Sequence, residues 1–117
     1  MSNISHRDFS CLLNMLESVK KIQKYSEKFK TADDFYSDTI SFDASMMNFI
    51  VIGEMVEKLS DQIIQNKEIK IDWLKVKGFR NIIAHNYFGI DAEEVWQIMQ
   101  TTLHELQIEI EKIVHTK

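Results

Sequence analysis

The sequence predicts an all-α fold, an up-and-down four-helix bundle with one additional short helix. Three observations carry this expectation. Apolar residues recur at three- and four-residue spacing along almost the whole chain, as on one face of a helix. Proline is absent and only three glycines occur in 117 residues, so little in the chain interrupts a helix. Side chains suited to cap a helix stand where that spacing lapses.

The first helix is expected from about Asp8 to Phe29, with Phe9, Leu12, Leu13, Leu16, Val19, Ile22 and Phe29 along one stripe. Lys20, Lys21, Lys24 and Lys28 lie mostly off that stripe, as a solvated face. Thr31-Ala32-Asp33-Asp34 then caps and opens a short helix. A long helix follows from about Ser41 to Asn66 and is apolar on two faces. Phe42, Met46, Phe49, Ile52, Val56, Leu59 and Ile63 form one face; Met47, Val51 and Met55 form another. Such a helix is either central in a bundle or shared with a second subunit. Gly53 falls in its middle, where glycine costs roughly 1 kcal/mol relative to alanine. Close approach of a neighbouring helix at that point is the simplest compensation.

The next helix begins after Asp72 as N-cap, carries Trp73, Leu74, Val76, Phe79, Ile82 and Ile83, and should stop near Tyr87-Phe88-Gly89. Asp91 and Glu94 have the spacing of a capping box. They open a last helix with Ala92, Val95, Trp96, Met99, Leu103, Leu106, Ile110 and Ile113 on one face. One domain, residues 1–117, accounts for the chain.

Composition narrows the function. Hydrophobic residues make up 44% and charged residues 27%, enough for one core under a hydrated surface. No apolar run approaches the roughly 18 residues of a membrane span; the longest such stretch, Met46 to Val56, is interrupted by Asn48 and Glu54. The first residues have no signal-peptide pattern, so a cytoplasmic location without membrane association is expected. A net charge of -4 argues against wrapping nucleic acid with the whole surface but leaves room for a small basic site. Cys11 has no second cysteine to pair with and is expected to be buried. There is no Walker loop, G-x-G-x-x-G, Cys/His cluster or Glu-x-x-His, and His104-Glu105 lacks the second histidine of H-E-x-x-H. Neither a metal nor another cofactor is expected.

The segment from Lys75 to Ile90 stands apart. It holds no acidic residue, although acids outnumber bases 18 to 14 in the chain, and it gathers Lys75, Lys77, Arg80 and His85. At 100° per residue, Asn81 and His85 fall on one line of a helix, while Arg80 is about 140° away from His85. The set does not converge within one helix. Two copies across a two-fold axis would bring two arginines and two histidines around one cleft. That combination suits cleavage of RNA. A neutral imidazole can accept the proton of a ribose 2′-hydroxyl, and a guanidinium can stabilise charge on the attacked phosphate, with no metal required. Lys75 and Lys77 read either as phosphate-steering groups or as ordinary solvated lysines. Glu54 either orients Arg80 or His85 from the long helix or is simply solvated.

Gly78-Phe79-Arg80-Asn81-Ile82-Ile83-Ala84-His85-Asn86-Tyr87 resembles the R-x-x-x-x-H-x-Y signature of HepT-type toxins in the HEPN superfamily. Ile52-Gly53-Glu54 resembles the I-G-E segment of their preceding long helix, and Asp91 to Trp96 resembles the acidic cap and V-W of their last one. The resemblance covers essentially the whole chain. It implies the HEPN-like bundle, and an endoribonuclease toxin from a prokaryotic toxin–antitoxin pair, active as a homodimer with a composite active site. Arg80 and His85 would be its catalytic residues and Asn81 their polar neighbour. It further implies an antitoxin partner, a nucleotidyltransferase of the MNT type that neutralises the toxin by transferring AMP to the motif tyrosine, here Tyr87. The alternative is a non-catalytic HEPN module that docks a nucleotidyltransferase or a nucleotide through the same patch.

Overall fold

A computed structural model describes residues 4–85 and 89–115, with Ala84 and His85 described by their backbone alone. The helices are α1 (His6–Ser26), α2 (Ala32–Ser37), α3 (Thr39–Lys58), α4 (Asp61–Ile64), α5 (Trp73–His85), α6 (Ala92–Gln100) and α7 (Thr102–His115). Among the described residues there is no strand, so the fold is all-α as the periodicity predicts.

The long helices alternate in direction. Asp8, near the start of α1, bonds to Ser60 just beyond the end of α3. Phe49 of α3 meets Phe79 of α5 edge-on at 5.4 Å, and Glu57 pairs backwards with Lys77 at 3.4 Å. The chain then returns through α6 and α7 beside α1, where Gln23 Nε2 donates to Gln107 Oε1 at 2.5 Å. Between them lies one core, with Leu12, Met15 and Ile22 of α1, Met46, Phe49 and Ile52 of α3, Phe79 of α5, and Leu103, Leu106 and Ile110 of α7 all fully buried. Cys11 is buried in its wall with a free thiol.

The expected caps form. Thr31 Oγ1 accepts from Asp34 N at 3.1 Å, Asp72 Oδ1 from Lys75 N at 3.1 Å, and Asp91 Oδ1 from the Glu93 and Glu94 amides at 3.0 and 3.3 Å. Each satisfies an amide that the first turn of a helix leaves without a partner.

Three boundaries differ from the periodicity. The first helix ends at Ser26, not Phe29; Ser26 Oγ bonds back to Ile22 O at 2.8 Å, and Phe29 turns out to pack on Phe35 at 5.7 Å. The long helix does not reach Asn66. It stops at Lys58, Leu59 and Ser60 become extended, and α4 adds one turn, so the bundle carries two short helices. Asp8 stabilises this break: its carboxylate accepts from Ser60 N at 2.9 Å and from Ser60 Oγ at 2.5 Å, with only 2% of the residue exposed. The last helix is divided at Thr101, whose φ of -117° and ψ of -79° depart from the values of a regular helix. Its hydroxyl and amide both donate to Gln97 O, at 2.8 and 3.0 Å. Of the stop expected at Tyr87-Phe88-Gly89, the first two residues lie outside the described ones.

By length and composition α3 is apolar enough to cross a membrane, with a mean hydropathy of 1.2 over 18 residues. In the bundle that apolarity serves two sides. Phe42, Met46, Phe49, Ile52 and Val56 enter the core, whereas Ile40 and Met47 face outward and are 84% and 60% exposed.

Replacing Asp8 with alanine leaves the Ser60 amide and hydroxyl without their acceptor. Asp8→Ala should cost about 1–2 kcal/mol, with Asp8→Asn costing less. Urea denaturation followed by circular dichroism measures both; an unchanged midpoint would mean that the α3–α4 break stands without the carboxylate.

Candidate active site at the seam of α3 and α5

Gly53 decides where α3 and α5 touch. A Cβ at this buried position would stand 2.8 Å from Arg80 Cβ, 3.2 Å from Arg80 N and 3.3 Å from Lys77 O. Two of those three atoms are backbone, so no rotamer change could make room. The close approach anticipated from a mid-helix glycine is therefore real, and the neighbour is the basic helix α5 at Arg80.

With its backbone held against Gly53, Arg80 extends along the seam. Its Nε forms an ion pair with Oε1 of Glu54, the residue beside the glycine. One turn away, Lys77 Nζ pairs with Glu57 Oε1 at 3.4 Å. Two acids three residues apart on α3 thus face two bases three residues apart on antiparallel α5. The side chains of Arg80 and Glu54 remain 44% and 38% exposed. Exposed pairs of this kind contribute only about 0.2–1 kcal/mol to stability. The arrangement fixes direction more than it stabilises the fold, and it leaves the guanidinium within reach of solutes.

The remaining candidates spread around α5. Asn81 is exposed, as is Leu74 at 80%, and a Cβ at Gly78 would meet nothing within 4 Å. These three positions follow the outward line of α5. Position 85 lies about 7.5 Å along the axis from Arg80 and about 140° around it. The His85 side chain and the whole of Tyr87 lie outside the described residues. Lys75 lies on a different side from Lys77, along a groove between α5 and α7 shared with Asp72, Thr102 and Glu105. Lys77, Arg80 and Glu54 therefore share the seam, and Lys75 is apart from it.

Glu57 was not among the residues singled out from the sequence. The matching three-residue spacing of Glu54/Glu57 and Lys77/Arg80 was the available signal. His6, His104 and His115 are exposed. Among the described residues, no three of His, Cys, Asp and Glu are grouped so that they could hold a metal ion.

The chain is thus a helical bundle that lays its basic helix α5 on α3, with the arginine of an R-x-x-x-x-H-x-Y segment at their contact. It matches the HepT-like ribonuclease family over residues 15–113 and belongs to that family. In Methanocaldococcus jannaschii, "Putative RNase MJ0127" is 32% identical over 103 residues, which cover 88% of this chain and 84% of that protein. "Gamma-glutamylcyclotransferase and putative RNase MJ0434" of the same organism is 32% identical over 109 residues, 92% of this chain. The chain spans about half of that longer relative, 48% of its length. "Probable ribonuclease HepT" of Thermococcus cleftensis is 23% identical over 109 residues, covering 93% of this chain and 96% of that protein. No solved structure gives a significant match.

Gly53→Ala tests the contact. The gain of about 1 kcal/mol in helix propensity should be outweighed by overpacking of about 1–3 kcal/mol against the α5 backbone. A net loss of stability in urea denaturation is expected, larger for Gly53→Val. A neutral or stabilised Gly53→Ala protein would show that the two helices can part without cost.

Proposed function

We propose that this chain is the toxin component of a prokaryotic toxin–antitoxin system: a metal-independent endoribonuclease that acts as a homodimer in the cytoplasm. The observation that carries the reading is the accessible Arg80 guanidinium at the α3–α5 seam of a HepT-like ribonuclease bundle. In the proposed reaction His85 takes the proton of a ribose 2′-hydroxyl. The freed oxygen attacks the adjacent phosphorus, and the bond to the 5′-oxygen of the next nucleotide breaks. Arg80 stabilises the charge on the phosphoryl oxygens, and a second histidine or water returns a proton to the leaving oxygen. The products are a 2′,3′-cyclic phosphate and a free 5′-hydroxyl. Asn81, one turn before His85, would orient the imidazole or a ribose, and Lys77 would add positive charge at the seam.

Homodimerisation is proposed because Arg80 and position 85 diverge around α5, and because α3 offers a second apolar stripe that is partly exposed. Ile40 and Met47 are exposed, Val51 and Met55 are half-buried, and Glu54 borders the stripe. A two-fold axis along this face would bury the stripe and bring two Arg80–Glu54 pairs to one groove. Neutralisation by an MNT-type nucleotidyltransferase, through AMP transfer to Tyr87, rests on the family motif. The added phosphate would compete with RNA for Arg80.

His85→Ala and Arg80→Ala should each lower RNA cleavage by about 100-fold or more while far-ultraviolet circular dichroism is retained. Cleavage should persist in EDTA and fail on RNA carrying 2′-deoxyribose at the scissile position; cleavage of that deoxy substrate would sink the mechanism. An intact-mass gain of one AMP on Tyr87 in a protein that never cleaves RNA would favour the docking-module alternative.

Met47→Asp places charge in the stripe. It should give a monomer in sedimentation equilibrium and lose cleavage together with self-association. A monomeric variant with full activity would rule out a composite site on this face.

A further inference from the structure

We infer that Glu54 is a positioning residue that holds the Arg80 guanidinium along the α3–α5 seam and competes with the RNA phosphate for it. This rests on the ribonuclease reading above and adds how that site is regulated from within the chain. The Gly53 contact places Arg80 as far as Cβ and leaves the direction of the guanidinium, on a side chain 44% exposed, to its other partners. Glu54 supplies that partner from the residue next to the glycine, through Arg80 Nε. The same short stretch of α3 therefore sets both the origin of the side chain and its direction.

The pair is built to be shared. A guanidinium carries five N–H donors, and one carboxylate can accept only some of them. Donors remain for a phosphate while Glu54 stays bound. Both side chains are more than a third exposed, so water screens their attraction and exchange of the carboxylate for a phosphate is cheap. The Gly53 contact and the Phe49–Phe79 packing hold the two helices together without that ion pair. A carboxylate this close to the phosphate also repels it. Glu54 should thus help turnover by aiming Arg80 and weaken substrate affinity by its charge. A purely structural ion pair would leave turnover indifferent to whether residue 54 can accept from Nε.

Glu54→Gln and Glu54→Ala separate the two effects. Glutamine keeps an oxygen that can accept from Nε and removes the charge; alanine removes both. The test measures kcat and KM on a short RNA with one scissile bond, and Kd for its uncleavable 2′-O-methyl analogue. Both variants should bind the analogue several-fold more tightly than the wild type. Turnover should fall roughly ten- to a hundredfold in Glu54→Ala, from loss of aim, and glutamine should recover most of that loss. Analogue affinity unchanged or weakened in both variants, absence of analogue binding in all three proteins, or equal turnover for alanine and glutamine, would overturn the inference. A wild type that binds the analogue but cleaves no RNA defeats the ribonuclease reading instead, while the affinities still report whether Glu54 competes with phosphate.

Discussion

At Gly53 the backbones of α3 and α5 come so close that a single methyl group would collide with Arg80. Glycine costs about 1 kcal/mol in the middle of a helix, and the 20-residue α3 carries it where the core needs its most continuous face. The compensation is local. Phe49 and Phe79 meet edge-on one turn away, and Phe79 can lie this deep because the helix axes are drawn together beside it. The same contact fixes the residue that follows Phe79. Core packing and the position of Arg80 are therefore consequences of one missing side chain.

Charge follows the same geometry. From Lys75 to His85 α5 has no acidic residue, and the carboxylates that pair with Lys77 and Arg80 come from α3. Acids outnumber bases 18 to 14 in the whole chain, so the protein as a whole repels polyanions at long range. Any anion that binds here must do so through short contacts at the seam. Among the described residues those contacts are Arg80 and Lys77, each already facing a carboxylate. A substrate held by so few cations gains specificity from their direction more than affinity from their number.

Local features were legible in the sequence and long-range ones were not. Thr31, Asp72 and Asp91 announce helices because a cap acts on amides two or three residues away. The close approach at Gly53 was legible because glycine in a strongly apolar helix needs a reason, although the sequence could not name Arg80 as the neighbour. The break at Leu59 and Ser60 was hidden because the group that stabilises it, Asp8, lies 52 residues away. The division at Thr101 left only a faint mark: a β-branched residue whose hydroxyl bonds four residues back, which threonines in unbroken helices also do. Glu54 remained ambiguous for the same reason as Asp8. Whether an exposed acid meets a base on another helix depends on register, and register is set by packing across the bundle.

The second face of α3 bears directly on whether one chain is sufficient. Ile40 and Met47 lie in water although the same helix buries five large side chains on its other side. Fully covering an aliphatic side chain of this size is worth about 1.5–3 kcal/mol, so the stripe is a standing driving force for association. Its border is Glu54, and past Glu54 comes Arg80. A surface that pairs with its own copy through this stripe would carry both ion pairs to the rim of the contact, where an anion can still enter. Along the helix α5, positions 80 and 85 stand about 140° apart. The divergence of Arg80 and position 85 around α5 and the apolar stripe of α3 thus border one seam, and the proposed second copy would answer both.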